Sequence, residues 1–305
     1  MLVSPHDFLQ DARRGGWAVG GFNVYNLESA RAVVQAAEEL RAPVMLQTSG
    51  GAVAHVGLET MVAMANELTR GVRVPVALHL DHGKDPDLAR AAIAAGYTSV
   101  MIDASLFPLA ENVATTSEII ALARPRGVQV EAELGSISGI EDIGDQDIEE
   151  TLTVPEEAVQ FVAETRVDSL AVAIGTSHGA TKFSGEPQLD FDRLERIASL
   201  VDIPLVMHGA SAMAEKDVAH AERYGAKLPA ARGIPEAFVR RAIELGVAKV
   251  NTDSDLRLAA LGRMREMLTR QPDLFNMYQL MGEVEAAMRE ATATRIRLFG
   301  SEGKA

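Results

Sequence analysis

Along the chain, short apolar runs rich in β-forming residues alternate with longer segments whose apolar positions recur every three to four residues. The short runs predict strands at Ala18–Val24, Pro43–Thr48, Pro75–Leu80, Ser99–Asp103, Val128–Leu134, Ser169–Ile174, Pro204–Met207 and Ala248–Thr252. Helical periodicity fills the gaps, at Leu27–Leu40, Glu59–Thr69, Asp87–Ala95, Glu111–Arg124, Glu156–Thr165, Asp190–Leu200 and Pro235–Leu245. Strands and helices alternating in this way predict the α/β class, and specifically a closed (β/α)8 TIM barrel of parallel strands. After the last strand, Asp255–Leu268 and Tyr278–Leu298 predict two extra C-terminal helices, long enough to cover the barrel's outside or a partner subunit. The competing arrangement is an open, doubly wound sheet. It normally carries a Gly-rich phosphate loop after its first strand, and Gly20-Gly21-Phe22 does not supply GxGxxG.

Two segments break the rhythm. Gly135–Leu152 is acidic, contains glycines and is long for a connection of this kind, which predicts a mobile loop over the site. Ser211–Arg232 lengthens the connection after the seventh strand, with a short helix around Glu215–Tyr224. No Pro/Ser-rich linker divides the 305 residues, so 1–305 is expected to form one barrel domain.

Composition narrows the function classes. A formal charge of −14 argues against general nucleic-acid binding, which needs a basic face. With no cysteine, thiolate metal sites, disulfides and cysteine nucleophiles are excluded. No apolar run resembles a signal peptide or approaches the 18 residues of a membrane span, so a cytoplasmic location is expected.

The candidate chemistry lies at the C-terminal ends of the predicted strands, the face on which parallel barrels build their sites. There stand Asn23, Gln47 and Ser49, Asp81 and His82, Asp103, Glu133, His178, His208, and Asn251 with Asp253. His82, His178 and His208 follow three different strands, each with a glycine after it; three neutral imidazoles on separate rigid elements can hold a zinc ion and leave coordination positions open. Asp81 adjoins one of them and can move a proton to or from a substrate hydroxyl, or else orient a histidine. Asp103 and Glu133 can hold a displaced or second divalent ion, or serve as partners behind the histidines. Glu141 and Asp142 lie on the long loop, where a carboxylate can swing in as a base. Small residues suited to phosphate capture follow His178 and His208 (Gly179; Gly209-Ala210-Ser211), and Asn251-Thr252-Asp253-Ser254 runs into a helix start. His79 shares a strand face with Asp81, and Lys249 is the lysine that lies within a predicted strand.

Five ordered segments, HLDHG from His79, VEAELGSISGIED from Val130, AIGTSHGATK from Ala173, LVMHGAS from Leu205 and AKVNTDSDLRLA from Ala248, resemble the class II fructose-bisphosphate aldolases. With FNVYN, PVMLQTSGGA and the ending LFGSEGKA, the resemblance covers essentially the whole chain, and the long connection after His208 is similar to the bacterial type B branch. The resemblance implies His82, His178 and His208 as ligands of a catalytic zinc, with Asp103 and Glu133 at alternative metal positions. It implies Asp81 as proton donor to the aldehyde oxygen and Glu141 as the base acting on the ketone phosphate. Gly179, Gly209, Ala210, Ser211 and Asn251, Thr252, Asp253, Ser254 would hold the dihydroxyacetone phosphate end, and Ser49 the glyceraldehyde phosphate end. A phosphorylated ketose is the implied substrate, and a monovalent cation is a candidate assistant; the long apolar-striped C-terminal helices point to a homodimer or homotetramer. The chain departs from the family pattern at Thr181 and at Ala212-Met213. Three other readings compete: the same chemistry on tagatose 1,6-bisphosphate, a Schiff-base aldolase using Lys249, and a barrel that binds sugar phosphates without turnover.

Overall fold

The structure is a computed structural model that describes residues 1–139, 150–179, 187–228 and 233–305. In chain order the strands are β1 (Val19–Asn23), β2 (Val44–Thr48), β3 (Val76–Gly83), β4 (Ser99–Ile102), β5 (Gln129–Leu134), β6 (Ser138–Gly139), β7 (Ser169–Val172), β8 (Ser177–His178), β9 (Leu205–Met207) and β10 (Val247–Thr252). Eight of them close a barrel in the order β1-β2-β3-β4-β5-β7-β9-β10, every pairing parallel, while β6 and β8 form a separate two-stranded sheet. The barrel strands are those expected from the apolar runs, with ends shifted by a few residues.

The helices are α1 (His6–Gly15), α2 (Leu27–Leu40), α3 (Gly50–Val56), α4 (Leu58–Leu68), α5 (Pro86–Ala95), α6 (Leu109–Ala123), α7 (Pro155–Thr165), α8 (Phe191–Leu200), α9 (Glu215–Arg223), α10 (Glu236–Glu244), α11 (Ser254–Arg270) and α12 (Met277–Phe299). Their starts follow local chemistry. The Asn26 side chain accepts the Ser29 N–H while the Ser29 hydroxyl answers the Asn26 N–H, a reciprocal cap for α2; Asp85 caps α5 just before Pro86.

Two helices lay outside the expected set. α3 is a short helix of about two turns after β2. α1 closes the N-terminal end of the barrel: Phe8, Leu9 and Ala12 pack with Trp17 and with Val19, Met45, Ala77 and Ala248 near the starts of four strands. The spacing of Phe8, Leu9 and Ala12 places them on one helical face, a signal masked by the charged residues between.

Inside the barrel, apolar side chains such as Met101, Ala171 and Val206 form their own cluster, and outside it the strands meet the helices in one large core. Gly20 and Gly21 are explained by this two-sided packing. A Cβ on Gly20 would lie 2.4 Å from the Phe22 ring on the outer face, and one on Gly21 would lie 2.0 Å from Gln47 Oε1 on the inner face. The paired glycines therefore make room for an outer aromatic and an inner amide; they do not cradle a nucleotide.

Phe22 is wholly buried between β1 and its covering helices. Phe22→Ala is expected to cost about 3–5 kcal/mol through lost apolar contact and the cavity left behind. Urea denaturation of the variant checks this; a loss below about 1 kcal/mol would mean the helical layer collapses onto the gap.

Candidate active site at the barrel mouth

On a regular strand, consecutive residues face opposite sides. β3 breaks that rule where the chemistry needs it. Leu80 pairs with Val100 and Gly83 with Ile102, so three residues of β3 span two of β4, and His82 takes a left-handed φ of 44°. Such a bulge re-aims a side chain; here Asp81 and His82, adjacent in sequence, both belong to the mouth. Gly83 is obligatory, since its Cβ would lie 2.3 Å from the Met101 carbonyl oxygen.

His178 arrives differently. It ends β8, whose pairing with β6 hangs it beside the mouth, and Ser177 Oγ donates to the Ser138 carbonyl at 3.1 Å. Gly139 and Gly209 permit the approach: a Cβ on Gly139 would lie 2.4 Å from the His178 carbonyl oxygen, and one on Gly209 2.6 Å from that of Ser177. The stem of the segment expected to be mobile is thus paired. Ser136 and Thr151 form an antiparallel bridge, and β6 lies just inside it. Glu141, Asp142 and Thr181 lie outside the described residues.

The three imidazoles converge. Ring centroids are 4.5 Å apart for His82–His208, 4.8 Å for His82–His178 and 6.1 Å for His178–His208, and one nitrogen from each lies within 4.8 Å of the others. His82 Nδ1 lies 3.0 Å from Asp103 Oδ2, and His208 Nε2 lies 2.9 Å from Glu131 Oε1. With each N–H given to a carboxylate, His82 Nε2 and His208 Nδ1 turn inward and face each other at 2.7 Å. Burial, reinforced by His82, holds His208 below its usual pKa against the pull of Glu131, so the ring is neutral, the form that ligates. Three converging imidazoles, two of them tied through the far nitrogen to a carboxylate, fit a zinc ion. A second group, His82, Asp103 and Glu133, also brings one donor atom from each within 4.8 Å. Burial works to raise Asp103, but the His82 contact and the Ser105 hydroxyl and N–H outweigh it and keep the carboxylate ionised.

Asp81 is fully buried beside this cluster. Its oxygens accept from Asn23 Nδ2 at 2.9 Å and Asn251 Nδ2 at 3.0 Å. Burial alone would raise its pKa, but His82, His208, Lys249 and His79 together hold it below the ordinary carboxylate value. Gln47 stands one step back, donating to Asn23 Oδ1 at 3.1 Å.

Beside Asp81 and the imidazoles opens a small cleft whose lining includes Gly179, Gly209, Ala210, Ser211, Asp253 and Ser254. Ser211 Oγ accepts the Asp253 N–H at 3.3 Å, tying the loop after β9 to the start of α11, whose free N–H groups favour an anion. Asp255 accepts from the N–H groups of Ala212 and Met213, at 3.1 and 2.8 Å, so the departure from the family pattern there keeps an ordered backbone. Thr252 is buried behind the cleft; Ser49 caps α3 and faces a neighbouring pocket shared with Asn23, Tyr25 and Arg257.

A model of the class-II fructose-bisphosphate aldolase family matches residues 3–304. The chain belongs to that family. A fructose-bisphosphate aldolase of Thermus caldophilus is 44% identical and one of Helicobacter pylori 41%, each alignment covering all of both chains. Among solved structures, the YdjI aldolase from Escherichia coli K12 superposes with a TM-score of 0.81 at 33% identity over the full length of both. As a class II aldolase the chain is a lyase of a family that acts on phosphorylated sugars and is generally zinc-dependent. Among the described residues, no helix is long and apolar enough to cross a membrane.

In the layer beneath this aldolase site, the sequence points to His79 and Lys249 one at a time but not to Glu131, the acid that joins them. Glu131, Lys249 and His79 are fully buried two residues before Glu133, Asn251 and Asp81 on the same strands. The signal lay in the strands themselves, where the triplets HLD, EAE and KVN place two polar residues on one face. Burial, then Lys249, lowers the His79 pKa from 6.5 to about 3. Between those values the unfolded chain carries a proton that folded His79 does not. The stability owed to neutral His79 is therefore complete above about pH 6.5 and is lost as pH falls toward 3. In chelator-treated protein, unfolding free energies of His79→Gln from urea titrations are expected to fall less steeply than wild type as pH drops from 6.5 to 4.5, by up to about 1.4 kcal/mol per pH unit. Parallel curves would show that His79 titrates alike in both states.

Proposed function

We propose that the chain catalyses the reversible cleavage of fructose 1,6-bisphosphate to dihydroxyacetone phosphate and glyceraldehyde 3-phosphate. The observation that carries this reading is the convergence of three imidazoles and the buried Asp81 carboxylate at one barrel mouth, beside a cleft of small residues. His82, His178 and His208 would hold zinc, and His82 with Asp103 and Glu133 would hold a displaced or second divalent ion. Bound there, the metal supplies Lewis acidity that lowers the cost of negative charge on a ketone oxygen.

The protein's own groups then divide the remaining work. Asp81, ionised and held by Asn23 and Asn251, removes the proton from the substrate hydroxyl that becomes the aldehyde, and returns it in condensation. The carbon–carbon bond breaks toward the ketone half, leaving an enediolate. Glu141 protonates that carbon, and in the reverse direction it takes the proton from dihydroxyacetone phosphate. Gly179, Gly209, Ala210, Ser211, Asn251, Thr252, Asp253 and Ser254 bind the phosphate of that half through backbone N–H groups, hydroxyls and the start of α11. Asn23 and Ser49 face the aldehyde half, and Gln47 supports it from behind through Asn23. A monovalent cation beside the phosphate remains part of the proposal. So does a homodimer or homotetramer: the exposed Phe275 just before α12 and Tyr278 in its first turn support such an assembly, and light scattering that gives the monomer mass would overturn it.

Fructose 1,6-bisphosphate cleavage is expected to vanish with a chelator and return with zinc. Chelator-resistant activity with a borohydride-trapped adduct would move the case to Lys249, and a clear preference for tagatose 1,6-bisphosphate would change the sugar. No turnover on either sugar would favour a binding-only barrel. Asp81→Ala is expected to keep its zinc and lose about 10²–10⁴-fold in kcat; near wild-type turnover would reduce Asp81 to orienting a histidine. His208→Ala is expected to lose zinc, measured by metal content after dialysis; full occupancy would mean the ligand set is wrong.

A further inference from the structure

Below the mouth, the barrel holds a buried lysine and a buried glutamate to which the proposed chemistry gives no role. Lys249 Nζ lies 2.7 Å from Glu131 Oε2 and 3.3 Å from His79 Nε2. The lysine, the glutamate and His79 are all wholly buried. The hydrogen bonds that radiate from Lys249 have one consistent direction. Lys249 donates to His79 Nε2, which places the His79 proton on Nδ1. That N–H donates to Ser99 Oγ at 2.8 Å, the Ser99 hydroxyl donates to Gln129 Oε1 at 3.2 Å, and the Gln129 amide reaches Ser169 Oγ at 3.4 Å. The chain runs from β10 through β3, β4 and β5 to β7, so the ammonium is fixed by the barrel wall and cannot swing upward.

The second arm of Lys249 leads to the site. Its bond to Glu131 Oε2 fixes the rotation of that carboxylate, and the other oxygen, Oε1, lies 2.9 Å from His208 Nε2. A carboxylate oxygen in that place can only accept, so the His208 proton sits on Nε2 and Nδ1 faces the other imidazoles. We propose that Lys249 and Glu131 are positioning residues: the buried pair fixes the tautomer and ring orientation of His208, and so sets the affinity of the three-imidazole site for its metal. This rests on the reading of that site as a zinc site.

Direct deletion of one charge does not test the idea alone, because Lys249→Met strands a buried carboxylate and can fail to fold. Glu131→Gln is the sharper probe. With Lys249 in place, the new amide turns its oxygen to the ammonium and its NH₂ to His208 Nε2. That forces the His208 proton onto Nδ1, the atom needed for the metal. In the double variant Glu131→Gln/Lys249→Met the amide is free to turn its oxygen to His208 and restore the tautomer.

Zinc affinity is measured by competition with a chromophoric chelator, on proteins whose folding is checked by circular dichroism and urea titration. Wild type is expected to bind tightly. Glu131→Gln should bind at least tenfold more weakly, in the range found for groups that orient metal ligands. The double variant should recover most of that loss although it lacks both native groups. A merely structural pair predicts the opposite order, with the double variant no better than Glu131→Gln. That order overturns the proposal, as does Glu131→Gln binding zinc like wild type. Wild type that binds no zinc fails differently: it removes the metal reading itself.

Discussion

The interior of an eight-stranded barrel is just wide enough for side chains to fill, so a polar group pointed inward must find its partner on another strand. This constraint shapes everything above the apolar floor laid by α1. An Asp, a Glu and an Asn project from β3, β5 and β10 into the mouth, and two residues earlier on the same strands stand His79, Glu131 and Lys249. A reactive upper layer of this kind is stable only on a lower layer whose donors and acceptors are matched. Glu131 belongs to both: burial would raise its pKa, but Lys249 first and then His208 hold it well below the usual carboxylate range. An isolated ion in that place would be prohibitive; the pair works because each charge also meets a further partner.

Much of this was legible in the alternation of apolar runs and helical segments. The eight barrel strands follow from runs of Val, Leu, Ile and Ala bounded by Gly and Pro, because parallel strands are covered on both faces and read as continuous apolar stretches. The histidines, Asp81, Asp103 and Glu133 were legible for a related reason: a polar residue ending an apolar run in a parallel barrel has one face on which to appear. What could not be read is geometry that departs from the strand period. A two-residue periodicity places Asp81 and His82 on opposite faces, and only the left-handed turn at His82, released by Gly83 against the Met101 carbonyl, reconciles them. The β6–β8 pairing that holds His178 escaped for want of length, since two-residue strands carry no periodicity.

Lys249 shows how chemistry and context diverge. A lone lysine inside an apolar strand raises the question of a Schiff base, because burial depresses an amine's pKa and frees its lone pair. Here the lysine sits 2.7 Å from a buried carboxylate and is hydrogen-bonded to a neutral imidazole. Both contacts tie the amine to the barrel wall below the mouth. The same residue type at the same depth is therefore a nucleophile or a brace according to the acid beside it, and only the three-dimensional pairing of β10 with β5's side chains decides which.

The loop after β9 extends the same logic outward. Asp255, at the start of α11, accepts the N–H groups of Ala212 and Met213, while Arg295 from α12 lies 3.5 Å from the Asp255 carboxylate. The two C-terminal helices thus do more than cover the barrel. They brace from behind the backbone turn that runs from His208 through Ser211, and Met213 adopts its left-handed φ of 45° under that restraint. On the function proposed above, an anion at the cleft would meet a backbone that is already ordered, so little ordering entropy would be spent on binding. The imidazole cluster and the cleft of small residues are consequently two ends of one braced segment: His208 meets Glu131 from below, and the turn that follows it is held from behind by Asp255.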